Sequence, residues 1–411
     1  MSEVNQKKLD RSVKIYPLFY GLTADLVFWI AINTLFLTTV KHLSAAQINS
    51  IEAIGMTGGL LFQLVLVKIV RKIGNLNSVK LGVVLLFLSA LLNTISTRYI
   101  GFLIAELCYV IGFVFKNMDN VILIKNLKYL NRSDEYIKYQ TKGSTIYSLI
   151  TLLISVASGF LFNINPYIPM AICLVICFIN IILTIFIYEV PVENLEESKE
   201  YKLDSKFFTK MVILMILLYG LFYAMIDCGQ KNSKLFIQFD LQNLFQLDKV
   251  AIYMGVFIFI SRVARLSSNL LFLKTYDKLN DKLKNKMLFL LEGGLALAFL
   301  LLLIGHFVGK IYGVYIMALG FFLFLTVRDP FDNLMRKTLF ENSREDVHDK
   351  IVNYINVCRK IFTLIYSTII AFMLVKLSYV YVMSLLLLTT LFFLIIVIKI
   401  YNLITKGDKN V

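Results

Sequence analysis

The sequence predicts an all-α integral membrane protein of twelve transmembrane helices, arranged as two pseudo-symmetric six-helix bundles. Three observations carry this expectation. The 411 residues are 58% hydrophobic and 17% charged, with a mean hydropathy of +0.74, well above the roughly 45–50% apolar usage of soluble domains. The apolar residues gather into runs long enough for helices to cross a bilayer, which takes about 20 residues each. A charged stretch near the middle of the chain separates two sets of runs that resemble each other.

The runs of the first half fall at about 15–40, 49–70, 79–97, 99–124, 143–163 and 167–189. The first follows a polar dozen residues and is itself long enough to span, so it is read as an uncleaved anchor and not a signal peptide. Asp25 lies within it, with Trp29, the only tryptophan, one turn on. The second leads into VKIVRKIGN, residues 67–75, where Gly74 marks a turn. The fourth carries Glu106, Lys116 and Asp119-Asn120 and is followed by Asn131-Arg132-Ser133-Asp134-Glu135. The fifth has small polar residues, Ser144, Ser148, Thr151, Ser155 and Ser158, at steps of three or four. Such a stripe suits close helix packing.

The runs of the second half fall at about 209–230, 250–273, 286–308, 311–335, 351–375 and 377–402. The seventh places Tyr219, Tyr223 and Asp227 at four-residue steps, and the eighth holds Arg262 and Arg265. The ninth has one acid, Glu292, expected near its cytoplasmic end. The tenth turns abruptly from oily to ionised in FLTVRDPFDNLMRK, residues 324–337, with Arg328, Asp329 and Asp332 around Pro330. Arg328 precedes Arg336 by eight residues, which at 1.5 Å per residue is about 12 Å. The eleventh aligns Asn353, Asn356, Lys360, Thr363 and Ser367 on one stripe beside Arg359. Asp332-Asn333 followed by Asn342-Ser343-Arg344-Glu345-Asp346 repeats the pattern of the fourth run at the equivalent place, as an internal duplication would. The expected domains are a first half, 1–189, a linker, 190–208, and a second half, 209–411.

Loop charge sets the expected orientation, because cytoplasmic loops retain Lys and Arg. Of the 42 basic residues, 29 fall on the termini and every second loop, and seven on the opposite loops. Both termini are therefore expected on the cytoplasmic side of the cell membrane. The net charge of +15 is accounted for in this way, without a nucleic-acid partner. The five cysteines, at 108, 173, 177, 228 and 358, all sit in apolar segments and make no extracellular disulfide framework.

Twelve spans, a six-plus-six duplication and a central cytoplasmic linker resemble the major facilitator superfamily over nearly the whole chain. That family's motif between spans two and three, roughly G-x-x-x-D-R-x-G-R, is half present: Lys72 and Gly74 match, while Arg71 stands where the acid would be. The G-P-rich motif of drug antiporters is missing from LLISVASGFLF. The resemblance implies alternating access between two halves, with spans three, six, nine and twelve on the lipid side. Spans three, six and twelve carry no charge at depth, in agreement.

An ionised side chain at the bilayer centre costs about 2.5–3.5 kcal/mol on insertion scales, so such residues face protein or a water-filled cavity. Asp25, Trp29, Tyr223, Arg262, Asn356, Arg359 and Lys360 are the expected substrate contacts, Arg262 through a guanidinium fork suited to a carboxylate or phosphate. A permanent ion pair of Arg262 with Asp332, Asp329 or Glu106 is the alternative. Lys116, Asp119, Arg328, Asp329 and Asp332 are the expected gate, with a static brace as the alternative. The three histidines lie in loops or at membrane edges, so proton coupling would fall to Asp25 or Glu106; sodium coupling and uniport stay open.

No His cluster, G-x-S-x-G elbow or phosphate-cradling loop points to an enzyme, and neither a metal nor a cofactor is called for. The expected function is secondary transport of a small polar solute, anionic or zwitterionic, by a monomer in the bilayer, with protons as the expected co-partner. Multidrug or amphiphile efflux and lipid flipping are the alternatives.

Overall fold

A computed structural model describes residues 3–132, 135–190, 210–276, 278, 281–341 and 348–407. The linker expected at 190–208 lies outside the described residues except for its first position, as do Ser133, Asp134 and residues 342–346 of the duplicated feature. Among the described residues all regular structure is helical. It comprises α1 (Glu3–Thr23), α2 (Val27–Leu35), α3 (Ala45–Leu61), α4 (Gln63–Ile73), α5 (Asn75–Ile95), α6 (Tyr99–Lys116), α7 (Asp119–Tyr129), α8 (Tyr136–Ile164) and α9 (Ile168–Leu183). It continues with α10 (Lys210–Leu244), α11 (Leu247–Tyr276), α12 (Asp281–Val308), α13 (Lys310–Glu341), α14 (His348–Lys376) and α15 (Tyr379–Gly407).

Eleven described stretches are long and apolar enough to cross a membrane. They correspond to the expected runs except the second, which forms two pieces, α3 and α4, meeting at Phe62. The hydrogen bonds Phe62 N to Gly58 O, 2.9 Å, and Leu66 N to Phe62 O, 2.8 Å, carry the backbone across that joint. At the end of α4, Gly74 takes φ 83°, which a side chain would strain, and its carbonyl accepts both the Ser78 amide and the Ser78 hydroxyl. The turn expected at this glycine is present.

By contacts the chain forms two compact units. The first comprises 1–43, 54–201 and 251–259; the second comprises 44–53, 202–250 and 260–411. In the first, Val13, Tyr16, Leu123, Leu127 and Tyr139 form one buried cluster, and Phe19, Val79, Val83, Ile122 and Ile187 another. Its closest helix pairing is α5 on α6, where a Cβ on Gly82 would collide with the Lys116 backbone and one on Gly112 would lie 3.1 Å from the Gly82 carbonyl. Small residues are what allow backbones this near one another. Thr151, Ser155 and Ser158 of the serine stripe are buried, while Ser144 and Ser148 are exposed.

The second unit packs α12 on α13 most extensively, and α10 against α13, α14 and α15. Pro330 stands inside α13. Lacking an N–H, it leaves the Thr326 carbonyl without its helical donor, and Ser268 Oγ of α11 donates to that carbonyl at 2.6 Å.

Candidate functional site

The first expected span breaks between α1 and α2, and Asp25 stands in the break. Its Oδ1 accepts from the Leu26 amide at 2.7 Å and from Tyr109 Oη at 2.8 Å, and Asn180 Nδ2 donates to the Leu22 carbonyl exposed beside the gap, at 3.0 Å. Glu106 is three residues before Tyr109 on α6 and packs where Gly55 of α3 leaves room for it. The two acids chosen for coupling therefore lie beside one tyrosine. Trp29 meets Phe36 edge-on, centroids 6.3 Å apart.

Deeper in the same unit Lys116 and Asp119 are each only 1% exposed, with Nζ and Oδ2 3.1 Å apart. The geometry is that of an ion pair without hydrogen-bond alignment, since Asp119 Oδ2 accepts no hydrogen bond. Lys116 also lies 4.7 Å over the Tyr20 ring, and Asp119 Oδ1 accepts the Asn120 amide at 2.8 Å. One cation meets one anion here, enclosed.

The second unit has a richer cluster. Tyr219, Tyr223 and Asp227 share one face of α10, as their spacing predicts, and the two tyrosine rings stack at 4.9 Å and 17°. Arg359 of α14 donates through Nε to Asp227 Oδ2 at 2.8 Å while its guanidinium lies 4.8 Å over the Tyr223 ring. Arg336 of α13 donates to Asp332 at 2.8 Å, and Tyr219 Oη donates to the same carboxylate. Arg265 of α11 forks onto Asp329 at 2.7 and 2.8 Å, with Asn269 adding a donor at 2.6 Å. Each of these three arginines is matched by one aspartate.

Arg328 is not. It is half-buried, and among the described residues it makes neither a hydrogen bond nor an ion pair; its contact is with the Tyr223 ring, 5.8 Å away. Tyr223 thus carries two guanidinium groups over its ring, one satisfied by Asp227 and one not. A guanidinium presents five donors in a planar fork matched to a carboxylate or phosphate. An aromatic ring satisfies none of them as a carboxylate would.

Other expected residues fall differently. Asp329 and Asp332 are held by Arg265 and Arg336, and Arg262 is a partly buried neighbour of Lys234 on α10. Asn356 is exposed and Lys360 half-buried. Glu292 stands toward the start of the apolar part of α12, Lys286–Val308, as expected, and is wholly enclosed on the face that also buries Leu288, Leu295 and Phe299. That enclosure follows from helical phase, since 288, 292, 295 and 299 repeat at three and four.

Asn49, Glu52 and Asn232 escaped the sequence reading. Lys231 of α10 donates to Glu52 at 2.9 Å and to the Ile48 carbonyl at 3.0 Å, Ser367 of α14 donates to Glu52 at 3.3 Å, and Asn49 and Asn232 exchange amide hydrogen bonds at 3.0 and 3.1 Å. The signal available was polarity inside apolar runs: Asn49 and Glu52 open the second run and Asn232 follows the seventh.

Known proteins give a consistent picture. The family model described as Major Facilitator Superfamily matches residues 18–335. No curated protein sequence matches the chain. The fold is similar to that of a bacterial homologue of the iron transporter ferroportin, with TM-score 0.71, 14% identity, and coverage of 98% of this chain and 100% of that one. It is also similar to the nucleoside transporter NupG, with TM-score 0.68, 10% identity, and 96% and 98% of the two chains covered. For a D-xylose–proton symporter the TM-score is 0.67 at 14% identity, covering 95% and 97%. At these identities the likeness is one of fold.

Proposed function

The chain belongs to the Major Facilitator Superfamily, and from that premise we propose that it is a secondary transporter whose solute is small and anionic or zwitterionic. The observation that carries this reading is Arg328, the intramembrane guanidinium without a counter-ion among the described residues. A charge held at depth without a partner is expensive. A solute carboxylate or phosphate supplies the missing partner, with Tyr223 as the surface on which the fork is already oriented and Arg359 and Lys360 adding positive potential. This moves the anion contact from Arg262 to Arg328, a residue first taken for the gate.

In this reading the two six-helix halves alternate access around the site, with both termini in the cytoplasm, following loop charge. The protein works as a monomer in the cell membrane. Gating by Lys116–Asp119 and by Arg265–Asp329 and Arg336–Asp332 then requires pairs now closed within their own units to exchange partners. Asp25 in its helix break and Glu106 beside Tyr109 remain the acids proposed to couple transport to a proton.

The test is thermal unfolding of the purified protein against a panel of carboxylates, phosphate esters, zwitterions and lipophilic cations. A bound solute at 100 times its Kd adds about 2.7 kcal/mol of stability. An anion or zwitterion should stabilise the wild type, and Arg328→Gln should weaken its binding by at least about tenfold, the scale of a lost charge-assisted hydrogen bond. Stabilisation by lipophilic cations or lipids alone, unchanged in Arg328→Gln, would overturn this reading in favour of efflux or lipid flipping.

A further inference from the structure

One face of α8 has no part in the site above. Lys138, Lys142, Thr145, Leu149 and Leu153 follow one another at steps of four, three, four and four, so at about 100° per residue they fall within about 80° of one another on the helix. All five are exposed, Leu149 by 59% and Leu153 by 72%. The opposite face buries Thr151, Ser155 and Ser158. The stretch Lys138–Ile164 is apolar and long enough to cross a membrane, which puts the two lysines at the level where it leaves the headgroups. Leu149 and Leu153 then lie about 10 and 16 Å deeper than Lys142, at 1.5 Å per residue. The hydrocarbon of one leaflet is about 15 Å deep, half of the bilayer core.

The cations at the head of this stripe exceed the anions that meet them. Arg132, Lys138 and Lys142 stand around the buried Tyr139 ring, at 5.9, 5.9 and 5.8 Å from its centroid. Among the described residues two carboxylates serve this corner. Glu135 accepts Arg132 at 2.5 and 3.0 Å and Lys138 only at 3.3 Å, while Asp10 is shared by Lys14 at 2.7 Å and Arg132 at 2.8 Å. Lys138 is 53% exposed, and Lys142 makes no ion pair among the described residues. Four cations thus share two anions, and the surplus sits on the exposed face of α8.

We propose that this stripe binds an anionic phospholipid, with the headgroup phosphate held by Lys138 and Lys142 and an acyl chain lying along Leu149 and Leu153. Charge complementarity selects the occupant, because ammonium groups at the membrane surface attract a headgroup of net negative charge and gain little from a zwitterionic one. The apolar run directly beneath them separates a lipid from a free anion, which has nothing to lay against it. Tyr139 fixes the place: its ring offers the cations a common surface and holds them together despite their mutual repulsion. None of these residues belongs to the solute site, and the test contains no solute, so this proposal and the transporter reading fail separately.

The experiment uses the full-length protein in a neutral detergent, with dioleoyl phosphatidylglycerol or dioleoyl phosphatidylcholine added at equal mole fraction. Native mass spectrometry measures binding of each lipid, and thermal unfolding checks that every variant folds. The wild type should bind phosphatidylglycerol at least about tenfold more tightly than phosphatidylcholine. Lys138→Gln combined with Lys142→Gln should weaken phosphatidylglycerol binding about thirtyfold, each lysine near an anionic surface being worth about fivefold. Lys138→Arg combined with Lys142→Arg should keep it. Lys68→Gln combined with Lys72→Gln, at exposed lysines of α4, should change it by less than about twofold, as surface charges outside a site do. Equal binding of the two lipids by the wild type, or equal losses in the two glutamine pairs, overturns the proposal in favour of unspecific attraction. A rise in unfolding temperature with inorganic phosphate that matches the rise with phosphatidylglycerol, and is lost with Lys138→Gln and Lys142→Gln, overturns it in favour of a free-anion site.

Discussion

Span four and span ten occupy the same topological place in the two halves of the sequence, yet they treat their charges differently. In α6–α7 the cation and the anion are three residues apart and close on each other, both almost fully enclosed. In α13 the acids pair with arginines from α11 and from the next turn, and Arg328 is left facing a tyrosine ring. The first arrangement is self-contained and needs nothing from outside the protein. The second has spare cationic capacity, which is what a site for an exchangeable anion requires.

The largest effect should come from breaking the closed pair. Lys116→Met leaves Asp119 enclosed without its cation, and such changes cost about 3–5 kcal/mol. Lys116→Met combined with Asp119→Leu should regain most of that loss, since a well-packed apolar pair often matches a buried ion pair. Arg328→Met, by contrast, should change stability by less than about 1 kcal/mol, because no partner is stranded. Unfolding in detergent, followed by helical signal, measures all three; equal losses at 116 and 328 would erase the distinction between the two regions.

A smaller effect distinguishes the rings. Tyr223→Leu removes the surface under Arg328 and Arg359, worth about 0.5–2 kcal/mol for a cation over a ring. Anion affinity should fall between about twofold and thirtyfold. Tyr20→Leu removes the ring beside Lys116, and should alter unfolding but leave anion affinity unchanged. Binding titrations on both variants read this directly.

The smallest effect lies outside the membrane spans. Arg132 bonds Glu135 and Asp10, and its guanidinium holds the Glu135 carboxyl below the usual carboxylate range. A carboxyl lowered in the folded state contributes stability above its unfolded pKa of about 4.3, and loses it as pH falls below that value. Arg132→Gln should therefore flatten the acid limb of the unfolding temperature slightly while leaving the neutral range unchanged. No such change is expected from any substitution at Arg328.

What the sequence revealed followed from hydropathy and spacing. Tyr219, Tyr223 and Asp227 share a face because four residues nearly complete a turn, and the Gly74 turn is where a positive φ demands it. Partner choice was not legible. Arg262 and Arg265 are equivalent in composition and depth, but which of them meets Asp329 depends on the phase of α11 against α13, and hydropathy carries no such information. The enclosure of Glu292 went unread for a related reason: distance from the end of a run gives depth, and the stripe it forms with Leu288, Leu295 and Phe299 gives the face. Charge content marked the helices that carry buried ions and gave no guide to which charges are already satisfied.

The paired amides of Asn49 and Asn232 work as a keyed joint. Each is fully enclosed, each donates to the other, and each also donates to its own helix, to Ala45 O and Cys228 O at 2.9 Å. Sliding α3 along α10 by about half a turn, about 2.7 Å, would break both cross-helix bonds together and leave two enclosed amide oxygens unmatched. The joint therefore resists partial displacement of the short segment it holds.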